Sequence, residues 1–297
     1  IIPLPDRWRL VNSLGYEEHW WDPYNRNVLK GDAPIWGNDW FFATTIIPDT
    51  VVEPRFSVTP VGGQTTVEPG QTDVFGRGDQ LLVSQTVLAE FVLYKGDTVF
   101  RPPDYEFRFT PAFNVNYLNL DEIVGVNVDP DEGVDRIDGH VGIQAAFFDY
   151  HIWNVSTRYD FDSIRLGIQP FTADFRGFLF NDSPLGVRLF GTRDNNIFQY
   201  NLAWFRRIEK DTNSGLNDVS QDLREDDIFV ANLYWQDSIA KGFTSSFLFL
   251  YNKNAETDVY YDDNGFIQRP YSFGEERPRE YDAYYLGYSG DGHIGRL

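Results

Sequence analysis

From Asp104 to Leu118 every odd position is apolar or aromatic: Tyr105, Phe107, Phe109, Pro111, Phe113, Val115 and Tyr117. The even positions between them carry Glu106, Arg108, Thr110, Ala112, Asn114 and Asn116, and only at Leu118 does a large apolar residue break the rule. A period of two is the period of a β-strand, so this stretch has one greasy face and one wet face. Helical signals are scarce in the rest of the chain, and the same alternation keeps returning.

Residues 196–206 set Phe198, Tyr200, Leu202 and Trp204 against Gln199, Asn201 and Ala203. Residues 228–236 set Phe229, Ala231, Leu233 and Trp235 against Asn232, Tyr234 and Gln236. Residues 241–252 gather Phe243, Phe247, Phe249 and Tyr251 on one side. Residues 163–169 place Ile164, Leu166 and Ile168 opposite Ser163, Arg165 and Gln169, and 184–189 place Leu185, Val187 and Leu189 opposite Gly186 and Arg188. Less regular strands are expected at 39–57, 80–94, 138–150 and 282–288, with another beginning at His293.

The connections sort by length. Lys95-Gly96-Asp97, Arg193-Asp194-Asn195, Asp237-Ser238 and Gly290-Asp291-Gly292 read as short turns. Long polar links lie between them at 59–79, 119–137, 171–183, 208–227 and 253–281, with 151–162 intermediate. The links 119–137, 208–227 and 253–281 hold 20 acids and 7 bases, which is −13 of the chain's −20. The acid is thus concentrated in loops at one end. A meander with alternating short and long links, apolar outward faces and aromatic strand ends is the pattern of a transmembrane β-barrel. The fold expected is all-β: an antiparallel up-and-down transmembrane barrel of at least ten strands over residues 38–297, incomplete at its C-terminus, after a lead-in or lumen-side segment over 1–37. A soluble sandwich or propeller is the rival, but it would bury the apolar faces and does not explain two classes of link.

Composition removes other classes. A net charge of −20 opposes nucleic-acid binding, which draws on clustered Lys and Arg. Zero Cys removes disulfides, thiolate metal sites and Cys nucleophiles. No run of about 18 apolar residues offers a helical span. The opening Ile1-Ile2-Pro3-Leu4-Pro5, without Met or a basic region, reads as a processed or trimmed terminus.

Several stretches resemble the strands of Gram-negative outer-membrane porins and porin-like solute channels. They are Arg165-Leu166-Gly167-Ile168-Gln169-Pro170-Phe171, Asp174-Phe175-Arg176-Gly177, Gly186-Val187-Arg188-Leu189-Phe190-Gly191 and Asn201-Leu202-Ala203-Trp204-Phe205-Arg206-Arg207. The resemblance is architectural across 39–297 and implies passive transport across the outer membrane. One departure is the ending Gly295-Arg296-Leu297, where such barrels usually finish on an aromatic residue.

With the apolar face toward lipid, Arg108, Arg165 and Arg188 point inward together with Glu106 and Glu90. The link 171–183 alternates Asp174, Arg176 and Asp182 with Phe171, Phe175, Phe178 and Phe180. A loop so rich in Phe either folds into the barrel and narrows it or packs on the rim. Charges set across such a passage select ions and orient solutes. The constriction expected therefore comprises Arg108, Arg165, Arg188, Arg176, Asp174 and Glu106. Asp129, Asp131 and Asp135 around Gly133 resemble the opening of a Ca²⁺ loop, although the full twelve-residue pattern is absent. Ca²⁺ at the acidic loops is the single cofactor candidate, and Asp262-Asp263-Asn264-Gly265 is more simply a turn. Catalytic patterns are missing: the four His residues have no metalloprotease spacing and no nucleophile elbow exists, leaving only a bare Ser156–His151 proximity. Trp153, Tyr159, Trp204, Trp235, Tyr260, Tyr261, Tyr284 and Tyr285 fall near strand ends, where amphipathic rings favour a membrane interface.

The function expected is a channel for small hydrophilic solutes, with a lean toward anions, in the outer membrane. Its partners would be lipid, lipopolysaccharide, the solute, and either further copies of itself or another outer-membrane protein. A closed barrel serving as sheath or docking partner is the first alternative, favoured by Leu82, Leu88, Leu248 and Leu250 on the wet faces. A soluble carbohydrate-binding β protein is the second.

Overall fold

The computed structural model describes residues 7–16, 19–22, 24–56, 79–96, 102–158, 160–269, 280–293 and 295. Ten long strands form one antiparallel sheet: β1 (Trp40–Arg55), β2 (Gln80–Lys95), β3 (Tyr105–Leu120), β4 (Asp135–Asn154), β5 (Phe161–Ile168), β6 (Leu185–Arg193), β7 (Phe198–Arg206), β8 (Asp226–Trp235), β9 (Phe243–Asn254) and β10 (Tyr281–Gly292). Each pairs with its neighbours in chain order and none crosses over. This is the simplest outcome for a chain of alternating segments, since antiparallel neighbours need only a turn between them. Among the described residues no ladder joins β1 to β10. Links 96–104, 155–160, 194–197 and 236–242 lie at one end, and 121–134, 169–184, 207–225 and 255–280 at the other. The expected link 59–79 falls almost wholly outside the described residues.

Burial is inverted relative to a sheet in a water-soluble protein. Register places Asn116, Asn114, Ala112 and Arg108 of β3 on the same face as Ser84, Thr86, Leu88 and Val92 of β2. Asn114 and Asn116 are buried, whereas Phe109, Phe113 and Val115, on the opposite face, are about half exposed. The same holds for β7–β9: Asn201, Asn232 and Ser246 are buried, while Leu202, Phe229 and Phe247 are exposed. Large apolar side chains are thus left on the surface over a whole sheet face, far beyond the scattered exposure normal in soluble proteins.

Rings with polar tips border that apolar face. Near the end with the short links, Tyr105 stacks on Tyr150 at 5.4 Å, Phe198 meets Trp235 at 5.7 Å, and the Tyr200 hydroxyl donates to Asp162. Toward the other end the Trp204 indole donates to Asp227 (3.1 Å) and the Tyr251 hydroxyl to Asp282 (2.7 Å). Trp153 stands exposed near the end of β4, while Tyr260 and Tyr261 belong to a small separate hairpin with Ile267–Arg269. Tyr159 lies outside the described residues.

One expected turn is not a turn. Gly290-Asp291-Gly292 continues β10, pairing with Phe243, Thr244 and Ser245. A Cβ at residue 290 would lie 2.5 Å from the Phe243 ring, so the glycine there admits close packing and does not mark a bend. His293 follows outside any strand, and Arg296 and Leu297 lie outside the described residues.

Among the described residues before β1 lies one short helix, α1 (Arg7–Ser13). Its later part lies along β1, the Thr44 amide donating to the Leu29 carbonyl (2.7 Å) and the Ile35 amide to the Trp40 carbonyl (2.8 Å). Gly31 approaches the Tyr94 hydroxyl closely. Residues 29–36 therefore cover the start of the free β1 edge, which would otherwise present unpaired donors and acceptors.

The 194–197 turn is built from three consecutive residues with positive φ: Asp194 (56°), Asn195 (58°) and Asn196 (67°). Asp and Asn tolerate this region better than other L-residues, but still at a cost. Asp160 braces the turn, its carboxylate accepting from the Asn195 amide (3.0 Å), the Asn196 amide (3.1 Å) and the Ser156 hydroxyl (2.8 Å). Burial pushes the Asp160 carboxyl up, but these donors outweigh it and hold the group below its ordinary value. A depressed folded pKa contributes stability above the unfolded value of about 3.9, and that contribution disappears as pH falls through the folded one. Asp160→Asn is expected to lower stability by about 1 kcal/mol at pH 7. Denaturant melts should show the gap from the parent closing as pH falls through the folded value, which lies below the unfolded one.

Candidate functional site

The charged residues of the polar face gather at adjoining positions of β3–β6. Register sets Arg108 of β3 opposite Phe147 of β4, Asp149 of β4 opposite Arg165 of β5, and Arg165 opposite Arg188 of β6. Two like charges directly across a ladder repel. Phenyl rings separate them: the Arg165 guanidinium lies 4.1 Å from the Phe147 ring centre and 5.5 Å from that of Phe190. Arg188 lies 4.5 Å from Phe190 and 5.2 Å from Phe171, and Arg108 lies 5.6 Å from Phe147. The result is an alternating stack, Arg108–Phe147–Arg165–Phe190–Arg188–Phe171, in which each ring offers its negative face to a cation.

The three arginines differ in their acidic partners. Arg108 pairs with Glu90 (3.0 Å) and Glu106 (2.9 Å). Among the described residues, Arg165 pairs with Asp149 alone (2.7 Å). Arg188 has no carboxylate within ion-pair distance among the described residues; its Nε donates to Asn201 Oδ1 at 2.7 Å. Asn201 Nδ2 donates to Asn232 Oδ1 (3.1 Å), and Asn232 Nδ2 donates to the Ala173 carbonyl (2.9 Å) and to Ser246 Oγ (3.2 Å). A chain of two side-chain amides on neighbouring strands thereby orients one edge of the Arg188 guanidinium.

Ala173 belongs to the 169–184 link, which folds onto the polar face as a small hairpin pairing Phe171–Thr172 with Asn181–Asp182. Phe171 and Phe180 pack on fully buried Phe205 (ring centres 5.0 and 6.1 Å), with Ile228, Val230, Leu248 and Leu250 completing the cluster. This Phe-rich loop, expected either to fold into a barrel or to pack on its rim, lies against the polar face of the sheet. It also accounts for Leu248 and Leu250 there, because the chain's own loop covers them. Phe175 packs against Tyr234 at 5.2 Å, and Phe178 is left 92% exposed.

The structure therefore brings together Arg108, Glu106, Arg165 and Arg188, with Glu90. Asp174 and Arg176 are used differently. Asp174 Oδ1 accepts from the amides of Arg176 (2.9 Å) and Phe178 (3.2 Å), and Oδ2 from that of Leu179 (3.1 Å). Burial pushes the Asp174 carboxyl up, but these amides pull it below its ordinary value. Asp174 thus shapes its own turn, and Arg176 stands exposed at that turn.

A second long link crosses the polar face. Residues 207–225 form a hairpin pairing Glu209–Lys210 with Asn217–Asp218. Buried Asn217 reaches β4, its amide donating to the Ile143 carbonyl (2.8 Å) and to the Ser183 carbonyl (2.9 Å), with His140 Nε2 at 3.1 Å from its own carbonyl. This approach requires Gly142, where a Cβ would stand 2.5 Å from the Asn217 carbonyl oxygen. Gly142→Ala is expected to lift the hairpin off β4, measurable as faster amide exchange at Asn217 with the sheet's circular dichroism unchanged.

Ion pairs tie the long links to one another. Arg207 bridges Asp226 (3.3 Å) and Asp182 (3.8 Å), Lys210 pairs with Asp182 (2.6 Å), Arg224 with Glu256 (2.7 Å) and Asp226 (3.4 Å), and Arg269 with Glu256 (3.1 Å) and Glu209 (2.5 Å). Asp182, Glu209, Asp226 and Glu256 are thus neutralised locally.

Asp129 Oδ1 accepts from the Asp131 amide (2.9 Å) and caps the short helical turn Pro130–Glu132. Among the described residues no group of three His, Asp or Glu side chains converges as an ion would require, Asp129, Asp131 and Asp135 included. Ser156 donates to Asp160 and His151 contacts Asn154 (3.1 Å), so those two side chains take separate partners. Sequence reasoning missed Phe147 and Phe190 as separators and Asn201 and Asn232 as the orienting chain. The alternation itself held that signal, since all four share the face of the arginines. No family model matches the chain, and no curated protein is significantly similar to it.

Proposed function

We propose that the ten strands form the wall of an outer-membrane β-barrel of a Gram-negative bacterium, acting as a diffusion channel for small hydrophilic solutes. The observation that carries this reading is the inverted sheet: an exposed face of Phe, Val, Leu and Ile, and an opposite face that buries Asn, Ser, Thr and Asp beside partly buried arginines and the apolar cluster under the 169–184 hairpin. Lipid is the solvent for which such a face is designed, and an aqueous lumen is the solvent for the other. Rings with hydroxyl and indole tips at the margins of the apolar face suit the headgroup boundaries. The acidic long links suit the outer surface, where divalent ions can bridge them to lipopolysaccharide phosphates. The loops 169–184 and 207–225 then lie within the lumen and narrow it beside the arginine stack, giving a restricted passage.

Detergent-extracted protein in a planar bilayer under a salt gradient should show stepwise conductance. The sign of the reversal potential then reports the preferred ion. Silence from protein with intact β-rich circular dichroism would transfer the assignment to a closed barrel that docks another outer-membrane protein.

A further inference from the structure

We infer that Arg188 is the seat for the carboxylate of a small organic monoanion; this rests on the channel reading and names the solute class of the same site. The argument is a charge count along the stack. Arg108 faces two carboxylates, Arg165 faces one and Arg188 faces none among the described residues. The wall thus runs from net negative at β2–β3, through neutral at β4–β5, to net positive at β6.

A guanidinium without an anion on a partly buried wall is an unfilled site, because its fork of donors matches a carboxylate bidentately. The Asn201–Asn232 chain fixes the Nε edge of Arg188 and leaves the Nη groups for a ligand. Phe190 and Phe171 flank the guanidinium and exclude water from its faces, which strengthens an in-plane contact. The charge count also sets the valence. Arg165 is already matched by Asp149 and Arg108 is outnumbered, so a second carboxylate on the same solute would meet no free cation. Monocarboxylates are therefore preferred over dicarboxylates.

The test is a titration of detergent-solubilised full-length protein with [1-¹³C]acetate, followed by carbon line broadening and independent of conduction. Saturable binding is expected, weakened about tenfold or more by Arg188→Gln and changed less than about twofold by Arg108→Gln. Arg188→Lys keeps the charge but loses the fork, and should recover only part of the affinity. Succinate should bind no more tightly than acetate. The assignment is overturned if Arg188→Gln binds acetate like the parent, if Arg108→Gln is equally damaging, or if Arg188→Lys retains full affinity. Acetate binding with a silent bilayer would sink the channel and keep the seat; conductance without acetate binding would do the reverse.

Discussion

Replacing Phe205 with alanine is expected to destabilise the protein by about 3–5 kcal/mol and to raise its single-channel conductance. Phe205 is fully buried on the polar face of β7, where its ring meets Phe171 and Phe180 of the 169–184 hairpin. The hairpin's other ties to its surroundings are mainly polar, the Ala173 carbonyl accepting from Asn232 and Asp182 pairing with Arg207 and Lys210, while Phe178 is exposed. Truncation leaves a cavity under the hairpin and removes the surface that holds it against β7–β9. Thermal melts in detergent read the stability term, and bilayer recordings read the widening. Phe178→Ala is the control, with no stability change expected because its ring makes no buried contact to lose. A Phe205→Ala protein with the parent's melting temperature would show that this cluster does not hold the loop.

The architecture was legible wherever one solvent acts on each face. The expected strands 104–118, 196–206, 228–236 and 241–252 match β3, β7, β8 and β9 to within two residues at each end. The placement of Arg108, Arg165 and Arg188 on the polar face of the sheet followed from alternation alone. Where it failed, the cause was local. Gly290-Asp291-Gly292 has the composition of a turn, but its glycines serve close approach to Phe243 on β9, a tertiary demand that composition does not encode. Asp129, Asp131, Asp135 and Asp174 looked like ligands or lumen charges. Asp129 and Asp174 are consumed by backbone amides two to five residues away, the usual competitor for such side chains.

The amide chain Arg188–Asn201–Asn232–Ala173 was invisible for a different reason. It joins β6, β7, β8 and the 169–184 link, and knowing that those groups meet requires the register of two ladders and the docking of that link at once. The apolar residues on the wet face show the same limit. Leu248 and Leu250 suggested an external partner, and the partner is the chain's own loop, whose docking site could not be deduced from its Phe content alone.

Asp226→Ala is expected to be the most disruptive change among the charged residues, lowering stability by about 2–4 kcal/mol and loosening three long links together. Its side chain is fully buried at the start of β8, where it meets Arg207, Arg224 and the Asn252 amide. Removing it leaves two guanidinium groups facing each other across an empty site. The full penalty of an orphaned buried charge is not reached, because Arg207 keeps Asp182 and Arg224 keeps Glu256. Acid should mimic part of the variant. Burial pushes the Glu256 carboxyl up, but the bonds and charges of Arg224 and Arg269 outweigh it and hold the group below its ordinary value. Its stabilisation is therefore complete above the unfolded value of about 4.3 and declines as pH falls through the folded one. Limited proteolysis of the parent between pH 7 and pH 3 should show the 207–225 and 255–280 links becoming cleavable at the acid end before the sheet melts. Asp226→Ala should show the same cleavage already at pH 7, while Asp226→Asn, which retains the neutral bond partners, should fall between them. Equal resistance of all three proteins at pH 7 would mean that the loops are held by their backbone ladders and not by these ion pairs.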